Sequence, residues 1–263
     1  MRLKPRGLAG VTWVICCLCS LMQSQTQFDK AHSLLSQMAR QRLEIKSDAD
    51  RERLAKEISS SLPMIEAAIG AGLLDLVNTT HVSSPDQIRE RLAATLRTGP
   101  ETAGQNMDAC VLSVGTQPNP SYVVAYVIPY CAACGRSWIG VLAYREREYH
   151  IVASLADPFP NQEIAAVSAG LGPDGAPRFL IYGTLWGDPH NRLNVAVFSF
   201  DGDKLLRVWS RSDLPQGRIQ LQPGKIILSF WSGLRLPATE RTEDYSVTPE
   251  GIQLIGSSER AVR

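Results

Sequence analysis

The sequence predicts an α+β protein, with an N-terminal helical segment followed by a predominantly antiparallel all-β domain built as a sandwich or an open propeller-like sheet. Three observations predict it. Apolar residues recur every three or four positions from Phe28 to Arg97, as they do along one buried helix face. After the stretch TGPETAGQN at 98–106, short β-branched and aromatic runs alternate with turn residues. The 263 residues, 44% of them hydrophobic, suffice for one large core or two small ones.

The chain opens with Arg2, Lys4 and Arg6, followed by a weakly polar to apolar run from Leu8 to Met22. This is the pattern of an export signal. The run has 15 residues, short of the roughly 20 that cross a bilayer as a helix. Gln23, Ser24 and Gln25 end it, so the signal is expected to occupy residues 1–24, with cleavage after Ser24. A lipoprotein anchor at Cys16, Cys17 or Cys19 is the alternative, but Ile15, Cys16 and Leu18 precede them where a small residue is usual. The mature protein is thus expected to be periplasmic or extracellular, with no stable transmembrane span.

Cleavage removes three cations, so the 27 basic residues fall to 24 against 26 acidic ones, a net charge of about −2. Nucleic acid is excluded as a partner on this count, since binding a phosphate backbone needs a clustered basic excess. The densest charged stretch, Lys46 to Glu57, alternates in sign and reads as a solvated helix face.

Three or four amphipathic helices are expected across 25–97. Their apolar sets are Leu34, Leu35 and Met38; Leu54, Ile58 and Leu62; Ile65, Ile69, Leu73 and Leu76; and Ile88, Leu92 and Leu96. Pro63 suits the first turn of a new helix, and Asn78, Thr79 and Thr80 are poor interior residues. Ser84, Pro85 and Gln87 form a capping box for the last helix.

The β domain is expected at 107–257, followed by a tail at 258–263. Its twelve candidate strands are Ala109–Gly115, Tyr122–Tyr130, Trp138–Arg145, Tyr149–Leu155, Ile164–Ala169, Phe179–Trp186, Leu193–Phe200, Leu205–Ser210, Arg218–Gln222, Ile226–Trp231, Tyr245–Thr248 and Ile252–Ile255. Asp201-Gly202, Pro223-Gly224 and Pro249-Glu250-Gly251 are hairpin chemistry, so neighbouring strands run antiparallel. At about 40 to 45 residues per four-stranded blade, the domain holds about three.

Cys131 and Cys134 form a C-x-x-C pair, and Cys110 is the other cysteine of the mature chain. Such a pair serves as a redox dithiol, half a metal site or a plain disulfide. The sequence after it, Ser137-Trp138-Ile139-Gly140-Val141-Leu142, reads as strand, so the helix that would stabilise a thiolate is missing. An oxidising compartment favours a disulfide, either Cys131 with Cys134 or Cys110 with one of them. A zinc site wants four ligands, and His32, His81, His150 and His190 stand at no ligand spacing. No metal or cofactor is expected.

Gly170-Leu171-Gly172-Pro173-Asp174-Gly175 matches a dinucleotide fingerprint but leads into no helix, and reads as a turn. Asp201-Gly202-Asp203 lacks the further ligands of a calcium loop. No G-x-S-x-G, H-E-x-x-H or S-x-x-K motif occurs in the mature chain, so no catalytic residue is assigned. Asn78-Thr79-Thr80 matches a glycosylation acceptor by pattern. Tyr122, Tyr126, Tyr130 and Trp138 share a possible sheet face and read as core. Asp188, His190 and Asn191, in the most polar long turn, are the candidate binding residues.

The function expected is therefore that of an exported, non-enzymatic binding protein with a protein, peptide or glycan partner. A thiol-disulfide protein acting through Cys131 and Cys134 is one alternative. An envelope assembly component pairing through its N-terminal helices is another. Intact and peptide mass spectrometry of the exported protein should find an unlipidated chain beginning at Gln25. The same spectra, with and without reduction, read out the pairing of Cys110, Cys131 and Cys134; a diacylglyceryl cysteine at the N-terminus would overturn the cleavage assignment.

Overall fold

The structure, a computed structural model, describes residues 26–41, 47–80, 84–97, 109–115, 119–131, 134–156, 158, 163–185, 190–232 and 239–261. The export signal at 1–24 and the linker at 98–106 lie outside them. The chain forms two compact units. One contains the helices and the hairpin tip Tyr144–His150; the other contains Gly104–Ala143 and Ile151–Arg263.

In the first unit, the described residues form three helices: α1 at 26–41, α2 at Asp48–Thr80 and α3 at Pro85–Leu96. Their apolar stripes face inward. Phe28, Leu35 and Met38 of α1, Ile65, Ile69, Leu73 and Val77 of α2, and Ile88, Leu92 and Leu96 of α3 are all buried. Gly72 lets α1 and α2 meet closely, since a Cβ there would lie 3.0 Å from the Phe28 ring. The His32 ring is 3.1 Å from the Thr95 carbonyl, and Gln41 donates to Glu57 at 2.8 Å. Ser84 caps α3 as its sequence requires, accepting from the Gln87 amide while its own amide donates to Gln87 Oε1.

Pro63 does not begin a helix, because α2 runs through it without a break. A proline inside a helix removes one hydrogen bond and costs about 3 kcal/mol. Pro63 is exposed while the stripe Leu62–Ile65–Ile69–Leu73 passes it without interruption. Continuous burial on the opposite face offsets the loss. The break expected at Asn78 is also absent: Asn78 donates to the Tyr149 carbonyl at 3.1 Å and accepts from the Tyr149 amide at 2.5 Å. Its carboxamide acts as a strand partner for the hairpin tip and is not presented as a free glycosylation acceptor. α2 is the one helix among the described residues long and apolar enough to cross a membrane by length and composition. Its apolar side is filled from within the unit.

The second unit is built on twelve strands: β1 Ala109–Val114, β2 Ser121–Cys131, β3 Cys134–Arg145, β4 Glu148–Ala156, β5 Ala165–Leu171, β6 Pro177–Leu185, β7 Arg192–Phe200, β8 Leu205–Pro215, β9 Arg218–Gln222, β10 Lys225–Trp231, β11 Thr239–Thr248 and β12 Gly251–Ala261. They make three four-stranded antiparallel meanders, β1–β4, β5–β8 and β9–β12. The strands are therefore not pooled into the two sheets of a sandwich. Three blade-like sheets stack, with the β5–β8 sheet in the middle. One of its faces buries Phe179, Ile181, Ala196 and Phe198 against Val123, Ala125, Ile139 and Val141 of the first sheet. The other buries Leu180, Val195 and Val197 against Ile226, Leu228 and Phe230 of the third.

β2 is buried on both faces from Tyr122 to Ile128, which explains its continuously apolar sequence. Tyr122, Tyr126 and Trp138 are interior; Tyr126 and Trp138 stack at 5.0 Å. The Trp138 ring lies over Gly140, where a Cβ would be 2.1 Å from Cη2.

The ambiguous motifs are turns. Gly172 donates to Ala176 at 2.7 Å and Ala176 donates to Asp174 Oδ1, closing the β5–β6 hairpin. Asp201 Oδ1 accepts from Asp203 and Lys204 at 2.9 and 2.8 Å, and these amides hold the carboxyl below its ordinary pKa. The tail expected at 258–263 is strand as far as Ala261, since Thr239 pairs with Ala261 and Glu240 with Arg260.

Replacing Gly140 by Ala should lower stability by about 1–3 kcal/mol through overpacking against Trp138. Urea denaturation checks this, with the loss recovered in part when Trp138 is also reduced to Leu.

Candidate binding cleft

The third sheet carries an unusual inward face. β10 and β11 pair so that Phe230 stands opposite Arg241, Leu228 opposite Glu243 and Ile226 opposite Tyr245. Alternation along β11 therefore turns Arg241, Glu243 and Tyr245 to the same side as the β10 core residues. From the middle sheet, β8 brings Trp209 and Arg211 to meet them, opposite Val197 and Val195 of β7.

Glu243 is only 2% exposed and is held from three directions. Arg211 Nη2 donates to both carboxylate oxygens at 3.0 and 2.7 Å. Arg241 Nε lies 2.9 Å from Oε1, and the Tyr245 hydroxyl donates to Oε2 at 2.6 Å. A carboxylate taken out of water survives only with such partners. Phe230 lies under the Arg211 guanidinium at 5.6 Å, and Trp209 meets Tyr245 edge-on at 4.9 Å. Burial, then the hydrogen bond to Glu243, pushes the Tyr245 hydroxyl from its ordinary pKa of 10.0 up to about 12. Tyr245 is therefore a permanent donor at neutral pH.

These residues line a cleft of about 730 Å³, together with Leu214, Trp231, Ser232 and Leu254. Its volume falls within the roughly 300–1,000 Å³ range of small-molecule sites. Asp213 on its lip has a positive φ of 60° and is fixed by Arg192 at 2.6 Å and by its amide's bond to Asn194 Oδ1 at 2.9 Å.

Of the residues proposed from sequence, His190 comes nearest, its ring packing edge-on against Trp231 at 5.0 Å. Asn191 contributes its carbonyl to the Gln216 amide at 2.7 Å, a structural bond behind the lip. Asp188 lies outside the described residues. Arg211, Arg241, Glu243 and Tyr245 carried no sequence motif. The signal present was the alternation of polar side chains at 241, 243 and 245, hidden because TERTED has the composition of a loop.

The cysteines separate into two places. Cys110 sits in β1 opposite Ala125; its sulfur accepts from the Ala166 amide at 3.3 Å and lies 3.5 Å from the Ala166 carbonyl. Cys131 is six residues further along β2 than Ala125, about 20 Å at the rise of a strand. A disulfide needs Cα atoms within about 7 Å, so Cys110 cannot reach Cys131 or its neighbour Cys134. Cys131 and Cys134 are themselves cross-strand Cα partners at the end of the β2–β3 hairpin. Among the described residues no group of three or more His, Cys, Asp or Glu is placed to hold a metal ion.

The chain matches no protein-family model and no curated protein sequence.

Tyr245→Phe should lower stability at neutral pH by about 2 kcal/mol, the scale of a hydrogen bond to a charged group. A phenol whose folded pKa is raised stabilises the fold below pH 10 and loses that contribution as pH rises toward 12. Denaturation at stepped alkaline pH should show the difference between wild type and variant shrinking across this window. A constant difference would mean that the hydroxyl is not held by Glu243.

Proposed function

We propose that this is an exported, non-enzymatic binding protein whose β domain holds its ligand in the cleft between β8 and β11. The observation that carries the reading is the convergence of two arginines, a buried glutamate and a tyrosine on one concave surface with an apolar wall. Sites of this composition fix a ligand's orientation with a few polar groups and gain affinity from apolar contact. The polar groups are held rigid by one another, so little ordering is left for the ligand to induce. Export rests on the basic and apolar pattern of residues 1–24.

The thiol-disulfide alternative gains one specific observation, the cross-strand register of Cys131 and Cys134. It supports a cross-link more than a redox dithiol, because the pair ends one strand and begins the next, whereas a redox dithiol opens a helix whose N-terminus stabilises the thiolate. Assembly through the helices finds less support. Their apolar stripes are buried, and Met64 is the large apolar side chain that the described helices expose.

The test is a thermal-shift and tryptophan-fluorescence screen of short peptides, oligosaccharides and small organic acids. A ligand at 100 times its Kd should stabilise the protein by about 2.7 kcal/mol, and Trp231→Phe should weaken the response. Turnover in a broad hydrolase and reductase screen, with no binder in any class, would sink the reading.

A further inference from the structure

We propose that the cleft between β8 and β11 selects a monoanionic carboxylate carried on an apolar body, recognised by Arg211 and Arg241. This rests on the binding-cleft reading above and names its ligand class. Two separate counts on the cluster lead to it.

The first count is of hydrogen bonds. A carboxylate offers about four acceptor positions, and two guanidinium groups offer about ten N–H donors. Glu243 accepts two hydrogen bonds from Arg211 and one from Tyr245, and Arg241 Nε stands beside it as an ionic contact at 2.9 Å. Among the described residues, the buried Nε of Arg211 has no hydrogen-bond partner, and Arg241 Nε reaches Glu243 in distance without hydrogen-bond alignment. The two guanidinium groups therefore carry more donors than the one carboxylate can engage. Both arginine side chains are about a third exposed, at 36% and 37%, and line the cleft.

The second count is of charge. Arg211 and Arg241 outnumber Glu243 by one. Asp213, the other acid lining the cleft, is matched by Arg192 at 2.6 Å. Glu259 approaches Arg241 only to 3.8 Å and is not one of the residues that line the cleft. A single negative charge balances this surplus, and its two oxygens suit the planar fork of arginine. A phosphate dianion would leave an excess negative charge beside the buried Glu243. The body attached to the carboxylate meets Phe230, Trp231, Leu214 and Leu254, of which Leu254 is 52% exposed.

The experiment is isothermal titration of the full-length mature protein with 4-phenylbutyrate and with the blocked dipeptide N-acetyl-Ala-Phe. The corresponding amides and inorganic phosphate are titrated alongside. Both acids should bind, and their neutral amides should bind at least about tenfold more weakly, the ratio that 1.4 kcal/mol represents. Tighter binding of the dipeptide acid would identify a peptide C-terminus as the source of the carboxylate, and tighter binding of phenylbutyrate a free small acid. Arg241→Gln, which leaves the hydrogen bonds from Arg211 Nη2 to Glu243 intact, should reduce the acids to the affinity of the amides. Arg241→Lys should recover part of the loss, with circular dichroism confirming that both variants are folded. Equal binding of acid and amide would overturn carboxylate recognition while leaving the cleft a binding site. Tighter binding of phosphate would overturn the monoanion. Failure of both acids would overturn the inference, and the wider ligand screen would then decide separately whether the cleft binds anything.

Discussion

The β domain depends on one constraint: its middle sheet must bury both faces at once. β6 and β7 alternate between two cores, sending Phe179, Ile181, Ala196 and Phe198 one way and Leu180, Val195 and Val197 the other. Neither outer sheet alone could cover both sides. This is why the segments FLIY and VAVF are continuously apolar, with no polar alternate face. At about 25 cal/mol per Å² of apolar surface removed from water, two such contacts dominate what holds three small meanders together. The hairpin turns between strands can then be short and ordinary.

The same stacking explains how a charge comes to be buried. The core between the middle and third sheets is apolar around Val195, Val197, Ile226 and Leu228 and becomes polar toward β8 and β11. Glu243 lies at that transition. Removing one partner of a buried ion pair commonly costs about 3–5 kcal/mol, so the arginines cannot be lost without consequence. Arg178, 93% removed from solvent, makes a second polar link across this gap by donating to the Thr248 carbonyl at 3.0 Å.

Much of this fold was legible in the chain, and the failures have local causes. All twelve strands carried β-branched or aromatic cores between turn residues, and the Ser84 capping box announced α3. Pro63 misled because the propensity of one exposed residue was weighed against a buried stripe that spans it. β11 and β12 were truncated because their outer halves, TERTED and SSER, look like loop. They form strand because the charges meet across the ladder, Lys225 with Asp244 at 2.7 Å and Arg260 with Glu240. The candidate site was less legible for the same reason. Arg211 and Glu243 are 32 residues apart, and no motif joins them. Only the register of β10 on β11 and the stacking of two sheets bring them together. Of the polar loop at 188–191, His190 packs on Trp231, one of the residues that line the cleft.

A buried salt bridge is weak evidence for a stability device, since well-packed apolar residues of similar volume often do as well or better. The surroundings sharpen that point here. Phe230, Leu228 and Trp209 already supply an apolar environment into which a leucine at 243 would fit with less desolvation cost. One arginine donating to both carboxylate oxygens would also neutralise Glu243 by itself. The second arginine, the tyrosine held as a donor and the open side of the cleft exceed what structural pairing requires. On the binding reading proposed above, Glu243 is the fixed counter-ion that orients two guanidinium groups before a ligand arrives. Pre-organisation of this kind lowers the entropy lost on binding, and it gives a buried carboxylate a role that burial alone does not.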